Sequence, residues 1–416
     1  MFEKRFKSHH DVKAVIGGKF GKMKRPGSPE DIKILFDSLP KEEEGILYVH
    51  VPFCDKICSF CNLNRKQLDN DLEDYTNFLV SEFERFGSTN YVKHKKMEVV
   101  YFGGGTPTIF KAAQLERILK SLNKNFVLSD SCEMTFETTL HNLTPDKLEV
   151  MKANGVNRLS IGIQSFSNHG RKVLNRTFEK EDIVARLKKI KSSFDGMVCI
   201  DIIYNYPDET IEEVMEDARL VNELNLDSVS FYSLMIHDGS KMSKDIENDV
   251  FELDYKLERD KELHNIFVKT LLSTGKYEVL ELTKINKIGR DRYKYIKMSN
   301  MGADIIPVGF GAGGKLGNYE IFRMNHERQF FSPVSEEEEK IKKLSGLFQY
   351  PKVYFEDIKK YVSQNKYRRI LKYIEELGKE NLLSMCSTHL ELKGDGLFWG
   401  NSIGREIINI SIEEDY

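Results

Sequence analysis

Strand-like and helix-like segments alternate through the middle of this chain. Apolar, β-branched runs lie at GILYVHVPF, MEVVYFGGG, CEMTFETT, NRLSIGIQSF, MVCIDIIYNYP and DSVSFYSLMI, with helical patterns between them. Helix-start signals punctuate the series: Pro145 follows Thr144, and Glu213 stands three residues after Thr210. About six such βα units in roughly 230 residues predict a parallel sheet, either open or curled into a partial barrel. Ligands of such sheets bind at the carboxyl ends of the strands.

The flanking segments differ from this middle part in composition. Before it, SPEDIKILFDSL predicts a short helix that Ser28 caps. After it, a glycine-rich, interrupted stretch leads into a mixture of short helices and strands. We therefore expect an α/β fold, a partial (β/α)6 TIM-like barrel with an N-terminal extension and a small C-terminal α+β domain. The expected boundaries are 1–44 for the extension, 45–275 for the barrel core, 276–335 for the glycine-rich connecting and substrate segment, and 336–416 for the C-terminal domain.

Charge and composition exclude several classes of partner. The net charge is -3, so no global basic field draws the protein to nucleic acid. No apolar run reaches the roughly 18–20 residues that a membrane span needs. The basic N-terminus lacks the apolar core of a signal peptide. We expect a cytoplasmic protein with neither nucleic acid nor membrane as a partner.

Three of the six cysteines lie together in HVPFCDKICSFCNLNR, directly after a predicted strand. Three thiolates can hold three irons of a [4Fe–4S] cluster and leave the fourth iron open to a small molecule. Structural zinc normally takes four protein ligands, and the next cysteine belongs to a separate strand. A zinc site and a coincidental group of free thiols remain alternatives. The clustered cysteines are Cys54, Cys58 and Cys61, whereas Cys132, Cys199 and Cys386 are expected to be buried, inert thiols.

The C-x3-C-x2-C spacing resembles the signature of the radical S-adenosylmethionine (SAM) superfamily. In that family the open iron chelates the amino and carboxylate groups of SAM. One electron then cleaves SAM to a 5′-deoxyadenosyl radical, which abstracts hydrogen from a substrate. The resemblance implies that Cys54, Cys58 and Cys61 bind a [4Fe–4S] cluster and that SAM is the second cofactor. It also implies oxygen sensitivity.

Further blocks resemble the SAM-binding motifs of the same family. YFGGGTPT ends a predicted strand with glycines, whose missing Cβ lets backbone groups approach a ligand closely. FETT, GIQSF, VLNRTF and the aspartate of CIDIIYNYP resemble the other motifs. Taken singly, each block has an ordinary alternative, such as a tight turn, a surface glutamate or a core aromatic. The resemblance implies SAM-binding positions at Tyr48, Phe60, Gly104, Gly105, Thr106, Glu137, Gln164, Arg176 and Asp201.

The whole set resembles the oxygen-independent coproporphyrinogen III oxidase-like branch, over roughly residues 45–330. That branch includes the decarboxylating oxidase, a heme chaperone and radical SAM C-methyltransferases. The oxidase carries a fourth cysteine two residues after the third, where this chain has Leu63. The family's E-x-N-P is replaced by Glu137-Thr138-Thr139. The stretch ADIIPVGFGAGGKLGNY, residues 303–319, is similar to the heme-utilisation subgroup, the anaerobilin synthases.

This last resemblance implies a methyltransferase that opens heme without oxygen to a linear methylated tetrapyrrole and releases iron. One SAM would give the radical and a second the methyl(ene) carbon, while an external donor such as flavodoxin, ferredoxin or a flavoprotein reductase supplies electrons. The alternatives are a coproporphyrinogen III oxidase-like enzyme, a radical SAM methyltransferase with another substrate, and a heme-binding chaperone. No catalytic acid or base is assigned. Candidate heme contacts, with solvated surface charges as the alternative, are Arg290, Arg292, Lys294, Arg323, Tyr293, Tyr295 and Tyr319.

Overall fold

The computed structural model describes residues 2–21, 26–61, 66–67, 72–252, 254–326 and 328–414 of the chain. Its strands are β1 (Glu44–Val51), β2 (Phe53–Cys54), β3 (Lys66–Gln67), β4 (Lys96–Gly104), β5 (Val127–Thr138), β6 (Arg158–Gln164), β7 (Met197–Tyr204), β8 (Ser228–Ser233), β9 (Tyr277–Glu281), β10 (Lys284–Lys287), β11 (Ile305–Val308), β12 (Gly313–Leu316), β13 (Tyr319–Arg323), β14 (Gln329–Pro333), β15 (Lys352–Tyr354), β16 (Leu383–Met385) and β17 (His389–Leu392).

Helices connect and cover these strands. They are α1 (His9–Phe20), α2 (Pro29–Asp37), α3 (Leu72–Gly87), α4 (Asn90–Lys93), α5 (Ala112–Asn125), α6 (Pro145–Ala153), α7 (Asn168–Val173), α8 (Lys180–Ser193), α9 (Ile211–Glu223), α10 (Lys241–Glu247), α11 (Leu257–Leu272), α12 (Lys294–Asn300), α13 (Glu336–Leu347), α14 (Phe355–Lys359), α15 (Gln364–Lys379) and α16 (Asp395–Ile412). Among the described helices, none has the length and apolar character needed to cross a membrane.

One twelve-stranded sheet forms the body of the described fold, in the order β14-β13-β12-β11-β1-β4-β5-β6-β7-β8-β10-β9. Strands β1, β4, β5, β6, β7 and β8 are parallel neighbours, joined through helices. Strand β11 lies parallel to the free edge of β1, and antiparallel strands extend both ends. The two end strands do not pair with each other, so the predicted α/β partial (β/α)6 barrel is confirmed.

Successive residues of the parallel strands face opposite sides of the sheet. Leu47, Val100 and Phe102 belong to the main apolar core, in which the strands pack against helices. Ile46 and Tyr101, on the alternate positions, form a separate cluster inside the barrel, with aromatic side chains packed around it. The inner face therefore carries the aromatic and polar groups of the strands, and the outer face holds the fold together.

A buried ion pair fills the barrel at the amino ends of the strands. Arg158 on β6 donates from Nε and Nη2 to the carboxylate of Asp291 at 3.2 and 2.9 Å, and both side chains are fully buried. Although burial alone would raise it, the pKa of Asp291 is held well below its usual range by the Arg158 guanidinium. Asp291 comes from the loop after β10, so this barrel floor is completed by a residue far along the chain.

Both ends of the chain contribute to a second apolar core. Val12 and Ile16 of α1 pack with residues of α13 to α16 and the three-stranded sheet β15-β17-β16. Helix α2 begins as predicted, because the Ser28 hydroxyl accepts a hydrogen bond from the Asp31 N–H at 3.1 Å. The expectation for Cys386 is wrong: its thiol is exposed, because the residue stands in the turn between β16 and β17 rather than inside a strand. Cys132 and Cys199 are buried, as predicted.

Candidate active site

The cysteine loop and the glycine-rich end of β4 are joined through their backbones. The N–H of Gly105 donates to the carbonyl of Val51 at 2.7 Å, and that of Thr106 donates to Phe53 at 2.8 Å. A Cβ on Gly105 would press into the carbonyl oxygen of Phe53 and lie 2.9 Å from that of Val51. Glycine is therefore needed at this position because two main chains meet here without room for a side chain.

None of the three clustered cysteines forms a disulfide with another described residue; Cys54 is buried, and Cys58 and Cys61 are partly exposed. The Thr106 hydroxyl lies 3.6 Å from the sulfur of Cys54, and Nη1 of Arg176 lies 2.9 Å from that of Cys58. Within the described ranges, no three His, Cys, Asp or Glu side chains are grouped so that they could hold a metal ion. The thiols thus share one loop but are not arranged as a ligand set. Leu63 lies outside the described residues.

The donor set nevertheless fits an iron–sulfur cluster in its chemistry. Three thiols on one loop supply the sulfur ligands that iron prefers, and they leave one coordination position to another molecule. The Arg176 guanidinium beside Cys58 provides positive charge where an anionic thiolate–iron centre would lie.

A mostly buried carboxylate lies at the mouth of the barrel. Glu137, at the end of β5, accepts hydrogen bonds from the Tyr101 hydroxyl at 2.7 Å and from the Gly104 N–H at 3.0 Å. Burial, aided by the negative charge of Asp201, raises the pKa of Glu137 to about 7. Asp201 on β7 is partly exposed, and its carboxylate makes no hydrogen bond with the described residues. A ligand with an ammonium group and hydroxyls suits this pair, because it supplies the charge and donors that the protein does not.

The end of β6 and the loop that carries Arg176 are held by one arginine. Gln164 adopts a left-handed backbone with φ 75°. Arg171 donates from Nη1 to the carbonyls of Ile163 and Ser165 at 2.9 and 3.0 Å. Its Nε donates to the carbonyl of Phe178 at 2.6 Å. Arg171 therefore fixes both motif segments, although it belongs to neither motif and its only sequence signal is its place between them.

The two predicted aromatic positions lie in different surroundings. Tyr48 is inside the barrel, stacked with Tyr101 at 6.2 Å, and its hydroxyl lies 2.9 Å from Nδ1 of His50. Phe60 packs instead against a small apolar cluster that includes Met242. Tyr101, which sequence reasoning did not select, holds Glu137 directly. Tyr101 begins the YFGGG segment, but the sequence pattern pointed only to the glycines of that segment as functional.

A cavity of about 200 Å³ opens beside the cysteine loop. Cys58 and Arg176 line it together with Gly162, Thr139 and Phe178, at the carboxyl ends of β5 and β6. Gly104, Glu137, Gln164 and Asp201 are not among its lining residues. The structure thus brings the predicted residues to one end of the sheet, in two groups: Cys58 and Arg176 at the cavity, and the carboxylates on the inner barrel face.

The candidate heme contacts do not gather at this end. Lys294 pairs with Glu98 at 3.1 Å, and Arg290 pairs with Asp227 at 2.9 Å. Arg292 lines a cavity of about 310 Å³ with residues that precede or begin β6 and β7, including Asn157 and Met197. Arg290, Arg292 and Lys294 therefore lie at the amino ends of the strands, opposite the cysteine loop. Arg323 is at the cysteine end but pairs with Glu82 at 3.2 Å.

The remaining candidates are aromatic. Tyr295 lies inside the barrel, where its ring stacks with that of Tyr101 at 4.3 Å. The guanidinium of Arg158 lies over the Tyr293 ring, 4.5 Å from the ring centroid, so Tyr293 is near the barrel floor. Tyr319 packs against the main core, on the helix-covered side. The three tyrosines do not line one slot.

The chain resembles known proteins in sequence. Residues 48–221 match the family model described as the radical SAM superfamily. Over 277 residues, 66% of this chain, the sequence is 27% identical to an Escherichia coli anaerobilin synthase, across 61% of that protein. Over 192 residues, 46% of this chain, it is 32% identical to the heme chaperone HemW of Lactococcus lactis, across 49% of that protein. The chain thus spans between about half and three fifths of the length of these curated relatives.

A solved structure extends the likeness to nearly the whole fold. Coproporphyrinogen III oxidase (HemN) from Escherichia coli, described as a radical SAM enzyme, aligns with 92% of this chain and 93% of its own. The TM-score is 0.77 and the sequence identity is 19%, so this match establishes a shared fold alone.

Proposed function

Since residues 48–221 of this chain form a radical SAM domain, we propose that the protein is a radical SAM C-methyltransferase that opens heme to a linear methylated tetrapyrrole. The reaction needs no oxygen and releases iron. It consumes two molecules of SAM, one as radical source and one as donor of the methyl(ene) carbon. An external flavodoxin, ferredoxin or flavoprotein reductase supplies the electrons.

In this proposal Cys54, Cys58 and Cys61 hold the [4Fe–4S] cluster. When bound together with SAM, this group would supply the radical chemistry of the reaction. Arg176, already 2.9 Å from the Cys58 sulfur, stabilises the negative charge of the thiolate. The Gly104–Thr106 backbone, tied to the cysteine loop, keeps that loop against the strand ends.

The Glu137 carboxylate is the observation that carries the proposal of a SAM site. It is mostly but not fully buried, it is held by the Tyr101 hydroxyl and the Gly104 N–H, and it faces the barrel mouth without a cation at hydrogen-bond distance among the described residues. A carboxylate in this state attracts an ammonium or sulfonium group, because the ligand's charge offsets the cost of desolvation. Asp201, two strands away, offers acceptor oxygens to ligand hydroxyls.

The choice of heme as substrate is supported by the resemblance to anaerobilin synthase and by the position of the GAGG segment. Gly311 lies against the ring of His50, where a Cβ would be 3.1 Å from Nε2. His50 in turn closely precedes the cysteine loop. The glycine-rich segment is therefore at the barrel mouth, where the second reactant must meet the radical.

Two other functions have support from the same comparisons. The matched part of the chain is 32% identical to the heme chaperone HemW and also to the oxygen-independent coproporphyrinogen III oxidase of Escherichia coli, over 192 and 189 residues. A coproporphyrinogen III oxidase-like enzyme would decarboxylate its substrate and leave the ring closed. A chaperone would bind heme without consuming SAM in proportion.

The deciding experiment is anaerobic incubation of reconstituted protein with SAM, a strong reductant and heme, followed by mass spectrometry. We expect a linear tetrapyrrole with one added carbon, together with 5′-deoxyadenosine and S-adenosylhomocysteine. Cys58→Ser should abolish all three products, whereas the matched Cys386→Ser variant, far from the loop in sequence, should retain them. Intact heme with little SAM cleavage would contradict the proposal in favour of the chaperone. Loss of carboxyl groups from a porphyrinogen substrate would favour the oxidase.

A further inference from the structure

An exposed apolar surface extends the inner wall of the barrel beyond β11. Gly313, Phe322 and Phe330 are direct cross-strand neighbours on β12, β13 and β14, so they share one face of the sheet. Met324 lies two residues after Phe322 and therefore on the same face. The strand pairing extends this far, because the Met324 N–H donates to the carbonyl of Arg328 at 2.9 Å. We name these four residues the apolar shelf.

The shelf is unusual in its exposure. Phe322 is 39% exposed, Met324 44% and Phe330 51%. The residues that alternate with them, Ile321 and Phe331, face the other side and join the main core. Since the hairpin already has a buried face that stabilises it, its second apolar face is not needed for folding, and adjoining exposed apolar side chains of this kind mark binding surfaces.

Gly313 keeps the shelf flat. Its backbone lies outside the left-handed region, so its conformation does not require glycine. A Cβ here would lie 3.6 Å from Cδ2 of Phe322, at ordinary contact distance. A larger side chain would therefore fit the fold but would cover the Phe322 ring.

Below the shelf, the same face of the sheet carries charge. Lys315 and Glu320 are cross-strand neighbours on β12 and β13. Each lies two residues along its strand from Gly313 or Phe322, which is a distance of about 7 Å. They line a cavity of about 410 Å³ between the sheet, α1 and α13. Four lysines and three glutamates line this cavity: Lys13, Lys315, Lys342, Lys343, Glu320, Glu338 and Glu339.

This cavity has spare positive charge and spare hydrogen-bond donors. Lys315 and Lys343 pair with Glu339, and Lys342 pairs with Glu320 and Glu338. Lys13 makes no ion pair within the described part of the chain. Burial and the nearby Lys342 lower the pKa of Lys13. The side-chain amide nitrogens of Asn300 and Gln349 are buried and have no acceptor among the described residues. Carboxylates of a ligand would satisfy these groups.

The upper end of the shelf reaches the barrel mouth. The N–H of Gly311 donates to the carbonyl of Arg323 at 2.7 Å, and the Arg323 N–H donates to Ala312 at 2.9 Å. The same Gly311 lies against the ring of His50, close to the cysteine loop. A flat molecule on Phe322 and Phe330 would therefore have one edge toward the candidate active site and the other toward Lys13.

We propose that the apolar shelf and the lysine-lined cavity together bind a planar tetrapyrrole, the ring on the phenylalanines and the carboxylate side chains at Lys13 and the free amides. This inference rests on the proposed function, because that function supplies the tetrapyrrole as substrate. It adds the surface that positions the substrate edge-on to the barrel mouth, on residues outside the cysteine and SAM motifs.

The test is a hemin titration followed by the Soret band, which needs neither cluster nor turnover. The double variant Phe322→Ala/Phe330→Ala and the single variant Gly313→Val should each raise the Kd for hemin roughly tenfold or more, because they remove or cover the ring contact. Tyr354→Ala is the matched control, an exposed aromatic on β15, and should bind as the wild type does. Thermal unfolding of each variant verifies that the fold is intact.

A separate experiment tests the contact between Lys13 and the carboxylates of the ligand. Lys13→Ala should weaken hemin binding but leave the binding of hemin dimethyl ester unchanged, since the ester lacks free carboxylates. Equal hemin affinity for wild-type protein and all shelf variants would overturn the shelf and leave the proposed function standing. Failure of the wild-type protein to bind hemin at all would overturn both.

Discussion

The Arg176 guanidinium bridges two motifs: Nη1 lies 2.9 Å from the sulfur of Cys58, and Nη2 donates to the carbonyl of Gly162. Arg176→Ala should remove a charge-assisted contact of about 1.5–3 kcal/mol, and so lower cluster retention and SAM cleavage about 10- to 100-fold. Arg176→Lys should recover only part, because an ammonium cannot make both contacts. Iron content and 5′-deoxyadenosine yield are the measurements. Arg219→Ala, an exposed arginine on α9, should change neither.

Glu137 should make SAM binding depend on pH. Its pKa is raised from 4.5 to about 7 by burial, so the side chain is mostly neutral at pH 6 and mostly ionised at pH 8. The ionised form attracts the ligand's ammonium group, and SAM affinity should therefore rise across this window. Glu137→Gln should weaken SAM binding about 10- to 100-fold and flatten the pH profile. Titration calorimetry on the reconstituted protein measures both.

Asp217 provides the control for this pH profile. Burial raises its pKa to about 7 as well, but its carboxylate accepts the N–H of Phe166 rather than facing the barrel mouth. Asp217→Asn should keep the rise in SAM affinity between pH 6 and 8. A flat profile in Asp217→Asn, with the rise retained in Glu137→Gln, would show that Asp217 rather than Glu137 controls the pH dependence, and would contradict the prediction.

The close approach at Gly105 should make this position intolerant of any side chain. Gly105→Ala places a Cβ against the carbonyls of Phe53 and Val51, both rigid backbone atoms, and should lower the free energy of unfolding by about 1–3 kcal/mol. Gly18→Ala, with open space around it in α1, should instead raise that free energy by roughly 0.5–1 kcal/mol. Denaturant unfolding of the two variants gives the comparison. Equal stabilities would show that the main chains at Gly105 are not in contact.

The cations beside the starts of β6 and β7 should be irrelevant to the tetrapyrrole. Arg292 lies opposite the cysteine loop, so Arg292→Ala should leave hemin affinity and SAM cleavage within about twofold of the wild type. Soret titration and product analysis measure the two. Loss of hemin binding in Arg292→Ala, with Lys13→Ala unaffected, would place the ligand at the Arg292 cavity instead of the shelf.

Cys386 should be the most reactive thiol outside the cysteine loop. It is exposed, a hydrogen bond from Thr388 lowers its pKa, and Nδ1 of His389 lies 3.0 Å from its sulfur. Burial raises the pKa of both Cys132 and Cys199 to about 12. Iodoacetamide should therefore alkylate Cys386 in the folded, cluster-loaded protein at least about 100-fold faster than either buried thiol. Peptide mass spectrometry locates the label, and Cys386→Ser should remove it.

The barrel was predictable because its signals are local. Each strand and helix shows its period within about ten residues, and caps such as Ser28 and Thr210 mark where helices begin. The same local patterns identified the cysteines and the glycines of the candidate site. Cys386 was misjudged because a short hydrophobic context does not distinguish a strand from the turn that follows it.

The missed residues act over long sequence separations. Arg171 binds carbonyls on both sides of the site, and Asp291 crosses from the loop after β10 to reach Arg158. No periodicity marks such a pairing, since it arises only when the sheet has formed. The glycine-rich stretch was likewise expected to be an interrupted connection. It contains β11 to β14, whose alternation is too short and too rich in glycine to be recognised as strands.

The Arg158–Asp291 pair also limits how far the chain can be shortened without disturbing the barrel. Arg158 belongs to the part of the chain that the family model matches, but its only carboxylate partner at salt-bridge distance within the described ranges comes from residue 291. A fragment that ends with the matched region would leave a guanidinium buried without its counter-ion, which costs several kcal/mol. The matched region therefore cannot be excised without losing the counter-ion of Arg158. The interior of the barrel is completed by the loop after β10, so a folded fragment of this protein must extend at least through that loop.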